Sequence, residues 1–301
     1  MPRVLVNGPA SWNTLIDLDS LPVAGGPTLA ARGHRDGLGG TSAGKALTLA
    51  ALGVDVTLRT VLGEDEAATA VRRALARERI EVLAVPAAAG RTERHLNLMT
   101  EDGRRQSIYL ELPSPEHELG PRAAAALLAG TDVLVADLAE HSRPLLAAAR
   151  PAGVPLWCDV HDDDGHAEYP RAFARAADVL LVSHARLTDP AAYLRAQVDA
   201  GCRLAVCTLG DAGSLALDAS GWFEVSVAPA PRLVDTNGAG DAFFAGLLAA
   251  TLNGRPTAEA LAEAAATGAL AVASAELGAP GADPVTVARL AAGVSVRRRP
   301  R

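Results

Sequence analysis

Lysine is almost missing from this chain: Lys45 is the only one among 28 Lys and Arg residues. Arginine supplies every other long cation. With the abundant alanine, this reads as coding bias, so most individual arginines carry no message of their own. Aromatics are also scarce, at 3%, which leaves Ala, Val and Leu to build both core and site. The 3 cysteines, Cys158, Cys202 and Cys207, lie in or beside apolar runs with no CxxC spacing. That excludes a disulfide scaffold and suggests reduced thiols in a cytoplasmic protein. A basic balance is lacking too. The net charge is −7 and the pI about 5.5, which argues against a general nucleic-acid binder. No apolar run reaches membrane-spanning length without breakers, and the opening MPRVLVNG has no apolar signal region. The one basic run, VRRRPR at the C-terminus, reads as a solvated tail.

What is present is an ordinary enzyme-like composition. The 301 residues are 49% hydrophobic and 21% charged, with mean hydropathy +0.16. That length can bury a large core, as one α/β domain or two smaller ones. Short β-rich runs alternate with Ala/Leu-rich helical stretches. The strand-like runs are 3–7, 54–62, 80–85, 132–136, 154–160, 178–182 and 203–209. Helical segments separate them, including EDEAATAVRRALARER, SRPLLAAARPAG and PAAYLRAQVDAG. The rhythm, with continuous apolar strands, predicts a parallel sheet covered on both faces. From Gly238 to about Ser274 the chain reads as two long Ala-rich helices. Two segments break the pattern. Residues 12–38 are polar and Gly/Pro-punctuated, and 91–112 alternate like a hairpin with EDG as its turn. Together they predict a small β lid over the α/β body, a way to exclude water.

DTNGAGDAFFAGLLAA, 235–250, carries the chemistry. Gly238 and Gly240 permit close backbone approach at the start of an apolar helix. N–H groups at a helix N-terminus make an anion site, and Asp241 stands in its first turn. A carboxylate beside an anion hole suits phosphoryl transfer to an alcohol: the backbone stabilises the transferring group while the carboxylate takes the hydroxyl proton. A second stretch, GGTSAGKA at 39–46, nearly spells a P-loop, with Gly39, Gly44 and Lys45 in register. Ala46 stands where that motif needs Ser or Thr for Mg²⁺.

DTNGAGD resembles the signature of the ribokinase (PfkB) family of carbohydrate and nucleoside kinases. The resemblance extends over nearly the whole chain. Gly39-Gly40 before an Ala-rich helix resembles the family's N-terminal glycine pair. VLGEDEAA (61–68) resembles its V-G-x-D motif, VCTLGDAGSLAL (206–217) its nucleotide-side turn, and AAATGALAVASAELGAP (264–280) the helix closing the adenine pocket. The resemblance implies a single ribokinase-like domain over 1–301, a three-layer α/β/α fold with a mainly parallel central sheet and a small β-sheet lid. It implies an ATP-dependent kinase acting on a sugar or sugar-like alcohol. Asp241 is then the general base, and the N–H groups of Gly238, Ala239 and Gly240 form the anion hole. Thr208, Gly210 and Gly213 fall on the nucleotide side. It also implies Mg²⁺ with the ATP, a monovalent cation such as K⁺ beside Asp235, and a homodimer through the lid. GGTSAGKA becomes the acceptor site rather than a phosphate loop, with Gly39 and Gly40 near sugar hydroxyls.

The sequence departs from the family pattern in several places. The family's substrate-binding Asp falls on Asn13, with Ser11 as its partner; a shifted alignment picks Asp17. Trp12 is either a pocket wall or core. Gly44 replaces a common Asn. Lys45 either reaches an anionic acceptor or stands on the helix surface. The N-x-x-E stretch that organises Mg²⁺ and phosphates is SHAR here, Ser183 to Arg186; Arg186 is left to meet phosphate directly or to form a surface ion pair. In CDVHDDDGH (158–166), a strand end with a solvated acidic loop is the plainer reading than a metal site, and Asp159 resembles a position near the Mg²⁺–phosphate region. Arg94 and His95 fall in the lid, where an exposed face is the plainer reading than substrate contact. Two alternatives stay open: a nucleoside acceptor, disfavoured because only Trp12 and Tyr109 offer aromatic surface near the lid, and a non-catalytic sugar or nucleotide sensor, favoured by SHAR and opposed by GAGD.

Overall fold

Alternate side chains of the apolar runs face opposite ways, and both directions are buried. Val4 and Val6 enter one core while Leu5 enters the other; Val133 and Val135 part from Leu134 and Ala136 in the same way. This is why the strands read as unbroken apolar stretches rather than as alternating ones. The computed structural model describes residues 2–101, 104–230 and 232–301. In chain order the elements are β1 (Arg3–Asn7), β2 (Ser11–Leu18), β3 (Gly33–Gly39), α1 (Thr41–Ala51), β4 (Asp55–Leu62), α2 (Glu66–Ala74), β5 (Ile80–Pro86), β6 (Arg94–Thr100), β7 (Arg105–Glu111), α3 (Pro121–Leu128), β8 (Val133–Asp137) and α4 (Arg143–Ala152). They continue with β9 (Leu156–Asp159), α5 (Glu168–Ala176), β10 (Val179–Ser183), α6 (Pro190–Asp199), β11 (Leu204–Thr208), β12 (Ser214–Asp218), β13 (Gly221–Val225), α7 (Ala239–Leu252), α8 (Thr257–Ala271), α9 (Pro284–Ala291) and β14 (Val296–Arg299).

The large sheet has ten strands in the order β14-β13-β12-β11-β10-β9-β8-β1-β4-β5. From β11 to β5 every pairing is parallel. The edge beyond β11 is antiparallel. Helices α1, α7 and α8 cover one face and α3 to α6 the other, giving the expected α/β/α layers. The expected parallel strands all form. The helix expected over EDEAATAVRRALARER is shorter: α2 stops at Ala74, and a turn closed by Ile80 N–H donating to the Arg77 carbonyl leads into β5. VRRRPR corrects the expectation of a free tail. Its first four residues form β14, paired antiparallel with β13, and Glu224 accepts from both Arg297 and Arg299.

The second sheet has four strands, β3-β2-β6-β7, with β2 and β6 parallel. Both segments that broke the sequence rhythm supply it. The EDG turn expected between β6 and β7 includes residues 102 and 103, which lie outside the described residues. Helix α7 is apolar on all sides and is buried from Asp241 to Ala250, as a helix packed on every face must be. It places its N-terminus at the end of the large sheet where β1, β8 and β9 finish, beneath the small sheet. Among the described residues, no helix is long and apolar enough to cross a membrane.

Candidate active site

Three strand or helix ends bring carboxylates to one point. Asp137 ends β8, Asp159 ends β9 and Asp241 lies in the first turn of α7. Lys45, from α1, sits among them. Its Nζ is 2.7 Å from Asp241 Oδ1, 2.9 Å from Asp137 Oδ1 and 3.3 Å from Asp159 Oδ2. The Phe244 ring lies 5.0 Å from the ammonium. Lys45 is 0% exposed. It is therefore neither on the helix surface nor open to an anionic acceptor, which corrects both sequence readings. Burial works against its charge, but the three carboxylates outweigh it and the ammonium is held protonated.

The carboxylates are not equivalent. Asp137 is fully buried, and its Oδ2 accepts hydrogen bonds from Ser42 Oγ at 2.6 Å and Thr41 Oγ1 at 3.2 Å. Asp159 accepts the His161 N–H on Oδ1 at 2.9 Å and meets Lys45 through Oδ2. Burial pushes this carboxyl up, yet His161 and Lys45 more than compensate, and it stays below its ordinary range. Asp159, expected near the Mg²⁺–phosphate region, thus has Lys45 as a close cationic neighbour. Asp241 differs: burial pushes it up to about 6, against the pull of Lys45 and His161, with Asp137 and Asp159 adding like charge. A carboxyl poised near neutrality is what general-base work needs.

Gly238 caps α7, and Ala239, Gly240 and Asp241 form its first turn. The N–H groups of Gly240 and Asp241 have no carbonyl partner one turn back, and the Ala239 N–H donates to the Thr236 carbonyl only at 3.4 Å, so this turn is available to an anion. A side chain at Gly240 would meet nothing within 4 Å, so this end of the helix is open. On the other side of Asp241, a Cβ at Gly44 would stand 3.3 Å from its Oδ2. Gly44 therefore leaves that oxygen uncovered, while Oδ1 belongs to Lys45.

The residues expected on the acceptor side lie together. On β2, Ser11 pairs with Gly39 of β3 and Asn13 with Gly37, and a Cβ on Gly39 would collide with Asn13 Nδ2 and Ser11 Oγ. Ser11 Oγ is buried without a hydrogen-bond partner. Asn13 is held by the His95 N–H, which donates to its Oδ1 at 3.1 Å. Gly40 caps α1. Asp17 is four residues further along β2, about 13 Å away at strand rise, where it pairs with Arg35; Asn13 is the better choice. Trp12 packs against the main core. His95 is half-buried, 2.8 Å from Glu93 and packed against the Tyr109 ring at 4.2 Å between ring centres with the planes tilted by 56°, so it is not on an exposed lid face. Arg94 is half-buried, with its Nε lacking a hydrogen-bond partner.

On the nucleotide side, SHAR forms a short turn after β10, and His184 Nδ1 lies 3.1 Å from the Thr208 carbonyl. Gly210 begins the next turn. Gly213 has a packing role, since a Cβ there would collide with the Val225 carbonyl. Arg186 pairs with Asp164 at 3.1 Å at the surface. Asp235, beside which a monovalent cation was expected, accepts the Asn237 N–H at 2.8 Å and faces Arg35 at 3.4 Å. Asp137 was missed in the sequence. The signal was there, since ligands in open α/β sheets gather at the carboxyl ends of strands, but the apolar run hid the final Asp.

A sequence model of the pfkB family of carbohydrate kinases matches residues 9–283. The chain is 34% identical over 284 residues to acarbose 7(IV)-phosphotransferase of Actinoplanes sp., covering 89% of this chain and 91% of that protein. It is 30% identical over 283 residues to ATP-dependent ribose-1-phosphate kinase of Halopiger xanaduensis, covering 90% and 92%. Among solved structures, a microbiome-derived acarbose kinase, Mak1, superposes with a TM-score of 0.83 at 27% identity, over 97% of this chain and 99% of that one. With its α/β/α body, four-stranded lid and glycine-capped α7, the chain belongs to the pfkB family and is a carbohydrate kinase.

Proposed function

We propose that the protein transfers the γ-phosphoryl group of ATP to a hydroxyl of a neutral sugar or pseudo-oligosaccharide, with Asp241 as general base. The observation that carries this reading is Asp241 itself, buried at the mouth of the α7 N-terminus, with its carboxyl near pH 6 and Oδ2 uncovered. The acceptor hydroxyl approaches Oδ2 from the Ser11–Asn13–Gly39 side. Asp241 takes its proton as the oxygen attacks phosphorus, and the N–H groups of Gly238, Ala239 and Gly240 receive the charge on the transferring group. Thr208 and Gly210 border the nucleotide, with Arg186 at the rim. The lid excludes water that would otherwise compete as acceptor.

Mg²⁺ bound with ATP supplies neutralisation of the phosphate charge. The donors present do not build a dedicated cage for it. The family's Glu is Arg186, Asp159 is engaged by Lys45 and His161, and no cluster of three or more metal-ligating side chains forms among the described residues. The metal would therefore be held chiefly through the bound ATP, and would neutralise its phosphate charge there.

Acceptor choice rests on Lys45 being committed to three carboxylates. It offers no charge to a sugar phosphate, which favours a neutral acceptor of the acarbose type over ribose 1-phosphate. The test is ATP consumption with Mg²⁺ against acarbose, simple sugars, ribose 1-phosphate and nucleosides. Turnover with acarbose or another neutral sugar supports the reading, and a preference for sugar phosphates overturns the acceptor class. Asp241→Asn should fold, bind ATP and lose turnover by about 10² to 10⁴; near-normal turnover removes Asp241 as base. We further propose that a second copy covers the exposed apolar residues of β7 and its exit, Ile108, Tyr109, Leu110 and Leu112. Analytical ultracentrifugation should give a dimer, and Leu110→Arg a monomer.

A further inference from the structure

The kinase chemistry above needs Asp241, a carboxylate and an anion hole, but it gives no task to the chain's only lysine. Lys45 is among the largest fully buried side chains of the protein. Burying an ammonium costs several kcal/mol unless it is paired and hydrogen-bonded. Here it donates to Asp241 Oδ1 at 2.7 Å, and its Nζ lies 2.9 Å from Asp137 Oδ1 and 3.3 Å from Asp159 Oδ2, so carboxylates from three different elements surround it. The geometry is that of a cation site whose cation is covalently attached.

We propose that Lys45 is the resident cation of the active site, a positioning residue that holds Asp241 ionised and fixes Oδ1, so that Oδ2 alone faces the acceptor hydroxyl. This rests on the reading of Asp241 as the base. The electrostatic case follows from the groups around Asp241. Lys45 of α1 and His161, after β9, favour its ionised form. Asp137 of β8 and Asp159 of β9 oppose it, as does burial. From the segment after α8, Leu277 reaches Gly44 beside Asp241 and adds only an apolar wall. Without the ammonium, three carboxylates would share a buried pocket, and like charges in such a site drive one of them to take up a proton. Asp241, whose carboxyl burial already raises, is the one that would do so, and a protonated base cannot accept the hydroxyl proton. The orientation case follows from Gly44. One carboxylate oxygen is pinned by the ammonium and the other is left open because residue 44 has no side chain.

The direct test is the titration of Asp241 in ligand-free protein, read by carboxyl-carbon NMR with ¹³C-labelled aspartate and assigned with Asp241→Asn. In Lys45→Met the Asp241 midpoint should rise by about one pH unit or more. In the double variant Lys45→Met/Asp137→Asn, which restores the net charge of the cluster, the midpoint should fall back toward the wild-type value. With the acceptor found above, Lys45→Met should lose about tenfold or more in kcat near pH 6.5, recover at higher pH, and keep its KM for ATP. A lower melting temperature with an unmoved Asp241 midpoint and an unmoved pH profile would mean a purely structural lysine and would overturn the proposal. If Lys45→Met does not fold, the double variant carries the measurement. A double-variant midpoint well above the single carboxylate range of the wild type, despite the restored charge, would show that net charge is not what Lys45 supplies. The two readings fail separately: turnover in Asp241→Asn removes the base, whereas the NMR midpoint reports on Lys45 whichever residue is the base.

Discussion

At the scale of single residues, the site gives up stability to keep a carboxylate buried at Asp241, the proposed base. A carboxyl raised to about 6 in the folded protein binds its proton more tightly there than in the unfolded chain. The folded state therefore holds more protons between about pH 4 and 6, and stability falls as pH rises through that window. Above it the cost of ionised Asp241 is fully present. Asp241→Asn should accordingly raise the melting temperature at pH 7.5, by an amount on the order of 1–3 kcal/mol in stability. The gain should vanish below about pH 4; urea melts at the two pH values check both. The acidic limb of the wild-type pH–rate profile should fall near 6 for the same reason. Asp241 was legible because a helix start with glycines and an acid is a local pattern. Its surroundings were not. Lys45 is 196 residues from Asp241 in the chain, and Ser42 is 95 from Asp137. Nothing local in GGTSAGKA announces that its lysine points inward.

At the scale of elements, one carboxylate joins the lid to the body. Asp65 caps α2 by accepting the Ala68 N–H at 2.9 Å, and it also takes the Thr92 hydroxyl at 2.7 Å and the Thr92 N–H at 2.9 Å. Burial raises this carboxyl, but the Thr92 and Ala68 hydrogen bonds outweigh it and hold it below its ordinary value. Its contribution is thus present above the unfolded carboxylate range and is lost as pH falls through the depressed folded value. Asp65→Ala should cost about 1–2 kcal/mol at neutral pH and less in acid, measured by chemical denaturation. The V-G-x-D resemblance located this residue, whereas its bond to Thr92 depends on the lid strand returning beside it. Helix packing offers a second case. A Cβ on Gly246 of α7 would stand 2.5 Å from Thr267 Oγ1 of α8, so the glycine lets the two helices approach. Gly246→Leu should destabilise by about 1–3 kcal/mol through overpacking despite leucine's better helix propensity, with a clear drop in melting temperature. The strand β14 was hidden for another reason. Three consecutive arginines carry no alternation of apolar residues, and their strand character comes from pairing with β13 and from Glu224.

At the scale of the molecule, the lid is tied to the phosphate end of the site by two side chains. Arg35 of β3 reaches Asp235 at 3.4 Å, and Arg105 of β7 donates to Asn237 Oδ1 at 2.5 Å. Both ties end in DTNG, directly before the anion-binding turn. The first is an exposed ion pair, which contributes about 0–1 kcal/mol and weakens with salt, and the second a single hydrogen bond to a neutral amide, worth about 1 kcal/mol, so both suit a lid that must open. The double variant Arg35→Ala/Arg105→Ala should keep its melting temperature within a few degrees but hydrolyse ATP without acceptor several-fold faster, as water gains entry. A coupled assay of ADP release with and without sugar reads this directly. The parallel body and the extra sheet followed from hydrophobic rhythm and its interruptions. The closure between them did not, because it joins arginines of the lid to a loop 132 and 200 residues away.

The chain's single lysine has one more consequence, for chemistry at the bench. Amine-reactive reagents need an accessible, unprotonated amine, and Lys45 is neither accessible nor readily deprotonated. In the native protein such a reagent should leave Lys45 unmodified. Lys45 can be labelled only when β8, β9, α1 and α7 part company, so mass spectrometry of acylated protein would report how often this cluster opens.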